Sequence, residues 1–252
     1  LTCAWLQREL GSSSGPGEEE RSAMVYDLGG GTFDVTVVRY TPTNFEVLAT
    51  DGDVHLGGVD WTDRLVDHVA EEFMSRHQSD PREHPASLQL LRNDCDMAKL
   101  ALSESDNVSI SCRHDGKAVT VQVSREQFED LTLDLMQRTL DTTELVLDEA
   151  GVAADELDAI VLVGGSTLMP KVPTALEAMT GVKPFQGLSP HTAVAQGAAI
   201  HAAILEAKYR GDDAELAQAV RKRLASVRQQ DVNSHALGVI IRDRAGRKRN
   251  IV

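Results

Sequence analysis

The feature that most restricts the fold is a short apolar segment, residues 24–26 (MVY), that ends in Asp27 and is followed by a run of glycines. A second, valine-rich segment, Phe33–Tyr40, comes directly after the glycines, and a third covers residues 45–50. Short apolar segments bounded by turn residues are typical of β-strands, and tight turns join antiparallel neighbours. The sequence therefore predicts an antiparallel meander with a glycine turn between its first two strands.

Helical periodicity follows the meander. A helix that begins near Asp60 is indicated by apolar residues at steps of four, namely Trp61, Leu65, Val69 and Phe73. A second helix over residues 86–102 has a predicted buried stripe of Leu88, Leu91, Cys95, Ala98 and Leu102. A hairpin is expected around residues 114–116 (HDG). Ser124 with Gln127 has the pattern of a capping box and opens one long helix that ends at Gly151.

A second junction of strand and glycine lies further along the chain. Residues 159–163 form an apolar run typical of a buried strand, and residues 164–167 (GGST) lead from it into a helix that ends at Gly181. Ser189 and Pro190 predict the start of another helix. That helix is rich in small residues, which allow close packing: Ala193, Gly197, Ala198, Ala202 and Ala203. Strands and helices mixed in this way place the chain in the α/β class.

Composition excludes several functions. The formal net charge of −14 repels phosphate backbones, so nucleic acid is not an expected partner, and no apolar run is long enough to span a membrane. The same charge disfavours free nucleotide, so a nucleotide site needs local N–H donors or metal. The cysteines (Cys3, Cys95, Cys112) have neither disulfide nor zinc spacing, which indicates reduced thiols and a cytoplasmic protein. Four histidines also lack a metal-like grouping: His55, His68, His77 and His84.

Both ends of the sequence indicate a fragment. The chain begins with Leu1 rather than methionine and ends at Ile251-Val252, within what resembles the start of a strand. Residues 208–230 are charged and helix-like, which is typical of a linker. Beyond them, residues 236–241 and 251–252 flank a turn at residues 243–246 and predict a β-hairpin that is cut short.

The first motif that indicates a chemical function is the glycine turn, residues 27–34 (DLGGGTFD). Gly29, Gly30 and Gly31 allow the backbone to approach a bulky anion and to present N–H groups to it. Asp27 at the end of the strand can hold a magnesium-bound water, and Thr32 and Asp34 can support the turn. A bare glycine turn in a hairpin has no such function, but the flanking Asp, Thr and Asp favour a phosphate-binding loop.

Two further patterns are ambiguous when taken alone. Gly164, Gly165 and Ser166 lead a buried strand into a helical N-terminus, where N–H groups favour anions, but tight packing of strand on helix also requires glycine. Asp96, Lys99 and Ser103 lie at steps of three and four on one helix face. That face can bind ribose and base, although a solvated helix face has the same pattern.

Five motifs, taken in order, resemble the heat shock protein 70 (DnaK-type) chaperones. They are residues 27–34, residues 55–60 (HLGGVD), the helix that carries Lys99, residues 161–167 (VLVGGST) and residues 193–199 (AVAQGAA). The likeness runs from about Met24 to Leu205. Actin and the sugar kinases are similar in fold but lack these motifs. The resemblance implies an actin-like ATPase fold (ribonuclease H-like), of which this chain is lobe II.

The resemblance also implies domains and residue roles. The nucleotide-binding domain covers residues 1–212, with a lower subdomain of about 20–56 and 133–207 and an upper one of about 57–132. A linker covers 213–230, and 231–252 begins a truncated peptide-binding β-sandwich. Asp27 lies near the metal, through water. The residues implied to bind ATP or ADP with Mg²⁺ are Gly29, Gly30, Gly31, Thr32, Gly58, Asp96, Lys99, Ser103, Gly164, Gly165, Ser166, Met169 and His191.

The sequence departs from the family pattern at four positions, two of them among these residues. Asp96 replaces a glutamate, Val59 also stands where a glutamate is usual, Leu168 stands where many members have an arginine beside the adenine, and His191 replaces an acid. The family's first phosphate loop, catalytic lysine and upstream glutamate are not in this sequence. Phosphoryl transfer needs charge neutralisation from both sides of the γ-phosphate, so we expect negligible hydrolysis by this chain alone.

Three functions remain open from the sequence. The first is an ATP-driven chaperone whose intact parent hydrolyses ATP, binds unfolded polypeptides and works with a J-domain co-chaperone and a nucleotide exchange factor. The second is a non-catalytic relative that serves as a scaffold, which Val59, Leu168 and His191 favour. The third is a sugar kinase or an actin-like filament protein, which the C-terminal hairpin disfavours.

Overall fold

The computed structural model describes residues 20–41, 44–185, 187, 189–209, 228–230, 239–242 and 248–251. The strands are β1 Arg21–Leu28, β2 Phe33–Tyr40, β3 Asn44–Asp53, β4 Asn107–His114, β5 Lys117–Ser124, β6 Ala159–Val163, β7 Arg228–Gln230, β8 Val239–Arg242 and β9 Lys248–Ile251. The α-helices are α1 Gly58–His77, α2 Pro85–Leu102, α3 Arg125–Leu131, α4 Leu133–Ala150, α5 Lys171–Thr180 and α6 Ala193–Tyr209. Short 3₁₀ helices lie at Pro81–Glu83, Ala154–Glu156 and Gly165–Leu168.

A five-stranded sheet in the order β6-β1-β2-β3-β7 is the centre of the larger half. The predicted meander of β1, β2 and β3 is confirmed, with antiparallel pairing throughout. β6 pairs with β1 in parallel, and β7 pairs with β3 in parallel. The sheet therefore receives strands from three distant parts of the chain.

The sheet is buried on both faces, which explains why β1 is apolar at consecutive positions. Met24 and Tyr26 belong to a core that continues through α4 and α5 into the helices α1 and α2. Ala23 and Val25 point to the opposite face, where the small residues of α6 pack against them. Successive side chains of a strand alternate between faces, so a strand covered on both sides has no polar position in its centre.

The smaller half consists of α1, α2, α3 and the antiparallel pair of β4 and β5. Its predicted helical stripes are confirmed, because Trp61, Leu65, Val69 and Phe73 are all buried, as are Leu91, Cys95 and Leu102. These residues belong to the same core as one face of the large sheet. The two halves of the described chain are thus joined through apolar contacts as well as through the backbone.

Four local predictions are wrong in detail. The long helix after Ser124 is divided into α3 and α4 at Thr132, whose hydroxyl donates to the Phe128 carbonyl at 2.9 Å and so competes with the backbone ladder. Ser124 accepts from the Gln127 N–H as expected, but the Gln127 side chain contacts His68 instead of closing a capping box.

Two helices, α1 and α6, begin at residues other than those predicted. α1 begins at Gly58 rather than at Asp60, because the Asp60 carboxylate reaches back from the first turn to accept the Gly57 N–H at 2.8 Å. α6 begins at Ala193, and the Ser189 carbonyl accepts the N–H of Ala193 at 3.0 Å after a turn. Ser189 and Pro190 therefore belong to the turn before the helix.

The C-terminal predictions are only partly within the described residues. Residues 228–230, the end of the predicted linker, form β7. β8 and β9 pair antiparallel, and the predicted turn at residues 243–246 lies outside the described residues. In the part of the chain that the structure describes, no helix has the length and apolar character needed to cross a membrane.

We predict that Leu65→Ala lowers the free energy of unfolding by about 2–5 kcal/mol, because a fully buried leucine of the shared core is replaced by a cavity. Leu90→Ala on the exposed side of α2 is the control and is expected to change it by less than about 0.5 kcal/mol. Urea unfolding measures both values, and equal losses in the two variants would contradict the assignment of the core.

Candidate functional site

The glycine loop, Gly29-Gly30-Gly31, connects β1 to β2 and is closed at its base by the Gly29 N–H, which donates to the Thr32 carbonyl at 2.9 Å. A methyl group built on Gly30 or Gly31 meets no atom within 4 Å, and neither residue has a positive φ. Among the described residues, none accepts a hydrogen bond from the N–H groups of Gly30 and Gly31. The loop thus presents bare backbone to an open space.

The N-terminus of α1 packs directly against this loop. The N–H groups of Gly58 and Val59 donate to the carbonyls of Gly29 and Gly30, at 3.0 and 2.8 Å. A methyl group on Gly57 would collide with the backbone of Gly31. The first N–H groups of the helix therefore hold two carbonyls of the loop in place. The positive end of the helix dipole lies beside the loop.

Lys99 binds the same helix start from α2. Its ammonium group donates to the Gly58 carbonyl and to the Thr62 hydroxyl, both at 2.7 Å, and pairs with Asp96 at 2.9 Å. Thr62 also donates to Asp96 at 3.0 Å. The bond from Lys99, together with that from Thr62, holds the pKa of Asp96 below its usual range. Asp96 and Lys99, two of the three residues of the predicted α2 face, therefore belong to one hydrogen-bonded network beside the glycine loop.

The second glycine junction reaches the loop from the other side. β6 pairs with β1 so that Val163 lies opposite Asp27, and Gly164 follows immediately with φ of 85°. A methyl group on Gly164 would collide with the Leu28 carbonyl. The Ser166 hydroxyl donates to the Gly29 carbonyl at 2.8 Å. Gly164 is therefore required by close packing, as the alternative interpretation of this motif held, and Ser166 ties the junction to the loop.

His191 lies over Gly165. A methyl group on Gly165 would come within 3.0 Å of the imidazole Cε1, and the Gly164 N–H donates to the carbonyl of the preceding Pro190 at 3.2 Å. The turn before α6 therefore closes one side of the site.

Ser103 and Met169 lie at the far end. They line one narrow crevice with a volume of about 10 Å³, room for roughly one water molecule, between the ends of α2 and of the 3₁₀ helix Gly165–Leu168. Ser103 is thus separated from Lys99 by one turn of α2. Among the predicted site residues, contacts join Gly58, Lys99 and Ser166 to the glycine loop, whereas Ser103 and Met169 line a separate crevice.

Two carboxylates, Asp27 and Asp34, lie opposite each other on β1 and β2 beside the loop. Burial, with repulsion from Asp34, raises the pKa of Asp27, and burial with repulsion from Asp51 raises the pKa of Asp34. A cation bound near either carboxylate would offset this repulsion and lower the pKa of that carboxylate. No cluster of three or more metal-binding side chains occurs in the described residues.

Three contributors were not predicted from the sequence. Gly57 contacts the loop, Thr62 joins the network of Lys99 and Asp96, and the charge of Asp51 on β3 repels that of Asp34 on β2. Thr62 was detectable, because it lies four residues after Gly58 and so on the same side of α1. Asp51 was not, since its place depends on the register of the two strands.

The fold and the site together are consistent with a fragment of an actin-like ATPase. A family model described as Hsp70 protein matches residues 12–227. The match covers well over half of the chain, so the chain belongs to the Hsp70 family. Membership indicates, in general, a chaperone that binds nucleotide.

We predict opposite effects for two glycine substitutions. Gly164→Ala lowers the free energy of unfolding by at least about 1–3 kcal/mol, because the residue has a positive φ and no room for a methyl group. Gly30→Ala leaves it unchanged or raises it by up to about 1 kcal/mol, since its methyl group meets open space. Thermal and urea unfolding measure both changes, and comparable losses would mean that the loop glycines are structural.

We also predict that Asp27→Asn stabilises the protein at neutral pH in the absence of divalent cations. A carboxyl whose pKa is raised on folding is still protonated in the folded state when the unfolded state has lost its proton. Stability therefore falls as pH rises from the ordinary carboxyl range through the raised pKa of Asp27.

Asp27→Asn is expected to remove this loss of stability with rising pH. The pH dependence of urea unfolding tests it, with Glu71→Gln on the exposed side of α1 as control. An unchanged slope in Asp27→Asn, or an equal effect in the control, would contradict the prediction.

Proposed function

We propose that the chain is lobe II of the actin-like nucleotide-binding domain of an Hsp70 chaperone and that it holds one half of a site for Mg-ATP or Mg-ADP. The nucleotide-binding part covers residues 1–212, the linker 213–230, and residues 231–252 begin a peptide-binding β-sandwich. The separate sheets support a lower subdomain of about 20–56 and 133–207 and an upper one of about 57–132. The pairing of β8 with β9 supports the third part.

The observation that carries this proposal is the presence of glycine where the fold does not need it. Gly57, Gly58 and Gly164 are required by packing, whereas Gly30 and Gly31 face open space with ordinary φ values. Glycine weakens a fold by enlarging the freedom of the unfolded chain. A bulky ligand that must approach the backbone closely gives these two positions a reason to lack side chains.

Each predicted residue has a proposed role in this half-site. Gly29 to Thr32 bind the terminal phosphates, Asp27 accepts from a water bound to Mg²⁺, and Gly58 lies where its loop approaches the phosphates. Asp96, Lys99 and Ser103 bind ribose and base, while Gly164, Gly165, Ser166, Met169 and His191 enclose the adenosine. Bound Mg²⁺ would neutralise phosphate charge. The chain's own residues bind and orient the nucleotide, and they keep the carboxylate of Asp27 half-buried beside the loop.

The wider activity belongs to the intact parent. There, ATP binding and hydrolysis would change the affinity for unfolded polypeptides, assisted by a J-domain co-chaperone and a nucleotide exchange factor in the cytoplasm. This is allosteric coupling, because nucleotide and polypeptide each bias the same two-state clamp. Hydrolysis needs groups on both sides of the γ-phosphate, so we propose that this chain alone binds nucleotide without turning it over.

A non-catalytic scaffold is the second candidate, and the residues around the adenosine region favour it. Val59 and Leu168 expose apolar side chains where the family has charged ones, and His191 replaces an acid against Gly165. In this case the fold would persist with weak nucleotide binding or none.

We predict that the chain binds Mg-ADP and that Gly30→Asp abolishes binding without unfolding the protein. The added carboxylate occupies the space meant for phosphate and repels it, while the structure around Gly30 has room for a side chain. Calorimetry measures binding, and circular dichroism checks the fold.

Ser75→Asp is the matched control, because it adds the same charge roughly 25 Å along α1 from Gly58. It is expected to bind as the unaltered chain does. If the folded chain binds no Mg-ADP, the scaffold function is favoured instead. If Gly30→Asp binds normally, the glycine loop is not the phosphate site.

A further inference from the structure

The first turn of α2 is capped by a histidine, His84. The Ser87 N–H donates to the imidazole Nδ1 of His84 at 3.4 Å, and the His84 carbonyl accepts the Leu88 N–H at 2.9 Å as the first bond of the helix. Helix caps are usually serine, threonine, aspartate or asparagine, which accept through an oxygen. An imidazole nitrogen accepts only while it carries no proton.

The direction of the capping bond defines the protonation state of His84 in this arrangement. A backbone amide can only donate, so Nδ1 of His84 carries no hydrogen and the ring is neutral, with its proton on Nε2. A proton added to Nδ1 would bring two donors face to face. It would also place a positive charge at the N-terminus of α2, where the helix dipole is already positive.

A second histidine, His114 at the end of β4, lies beside the cap. The ring centroids of His84 and His114 are 5.9 Å apart, and the Ser87 hydroxyl lies 3.4 Å from Nδ1 of the first and 3.0 Å from Nδ1 of the second. Nε2 of His114 lies 3.1 Å from the Ser79 hydroxyl. Hydroxyls donate or accept, so His114 keeps both bonds when it is protonated. Two protonated rings at this separation would repel each other across the start of α2.

The other charged groups around the two rings are paired or near water. Arg82 pairs with Asp80 at 3.0 Å and with Asp67 of α1 at 2.8 Å. Hydrogen bonds from Arg82 hold the pKa of Asp80 below its usual range, with a smaller contribution from the charge of His114. Asp80 therefore stays ionised and paired in mild acid. The remaining titratable groups adjoin the rings in sequence or through Phe73 and are exposed or half-buried: His77, Glu83, Asp115 and Lys117.

We infer that His84 makes the start of α2 a pH-sensitive clasp, at the end of the smaller half where α1, α2 and the β4–β5 turn meet. The neutral ring caps the helix next to Ser87 and His114, whereas protonation removes the cap and opens the first turn. Histidine in general changes its charge between about pH 5 and 8, so mild acid is sufficient. The clasp lies roughly 22 Å along α2 from Lys99, so this inference does not depend on the proposed nucleotide site.

Amide hydrogen exchange, followed by NMR at about pH 7.5 and about pH 5.5, tests the clasp. After correction for the intrinsic exchange rate, we expect the protection of the Leu88 N–H to fall about fivefold at the lower pH, as for the loss of one cap. His84→Asn is expected to keep this protection at both pH values, because the asparagine oxygen caps without titrating. His84→Lys, which is charged and offers no acceptor, is expected to show low protection at both.

His201→Asn is the matched control, because His201 is an exposed histidine of α6, and it is expected to leave the pH dependence at Leu88 as it is. The Val25 N–H, in a strand paired on both sides, reports opening of the large sheet and is expected to lose no protection at the lower pH. An equal loss at Leu88 in His84→Asn, or an equal loss at Val25, would overturn the inference. So would protection at Leu88 that stays the same at both pH values in the unaltered chain.

Discussion

The parallel pairing of β1 with β6 is the contact on which the site depends. Its register places Val163 opposite Asp27, so both strands end at the same level and both glycine junctions begin there. The Ser166 hydroxyl then joins them through the Gly29 carbonyl. More than 130 residues separate the two strands in sequence. A shift of one residue in this register would turn the flanking side chains to opposite faces and separate the two junctions.

The smaller half is attached to this centre through the start of α1. Gly58 and Val59 donate to the loop, Lys99 ties α2 to the same turn, and Trp61 lies in the shared core. A displacement of α1 would therefore move the carbonyls of the glycine loop and the face of α2 together. The geometry of the glycine loop and that of the α2 face are coupled because the start of α1 contacts both.

Local pattern was sufficient to predict most of the helices and strands. Strands β1 and β2, the buried stripes of α1 and α2, and the turn at Gly181 follow from periodicity and from glycine and proline chemistry, which act over a few residues. The break at Thr132 was missed, because it depends on a hydroxyl that competes with the helix ladder. β7 was missed because a three-residue strand acquires its identity only from its partner, β3.

The net charge of the protein favours the binding of a magnesium–nucleotide complex over that of a free nucleotide. The chain has a formal net charge of −14, and Asp27 and Asp34 add unrelieved negative charge beside the glycine loop. A bare triphosphate would meet repulsion from both sources. In the proposed function, a magnesium complex would offset this repulsion locally, because the cation would neutralise charge near the carboxylates while the N–H groups of Gly30 and Gly31 would donate to phosphate. The raised carboxyl pKa values and the open loop both favour such a ligand, which combines an anion with a cation.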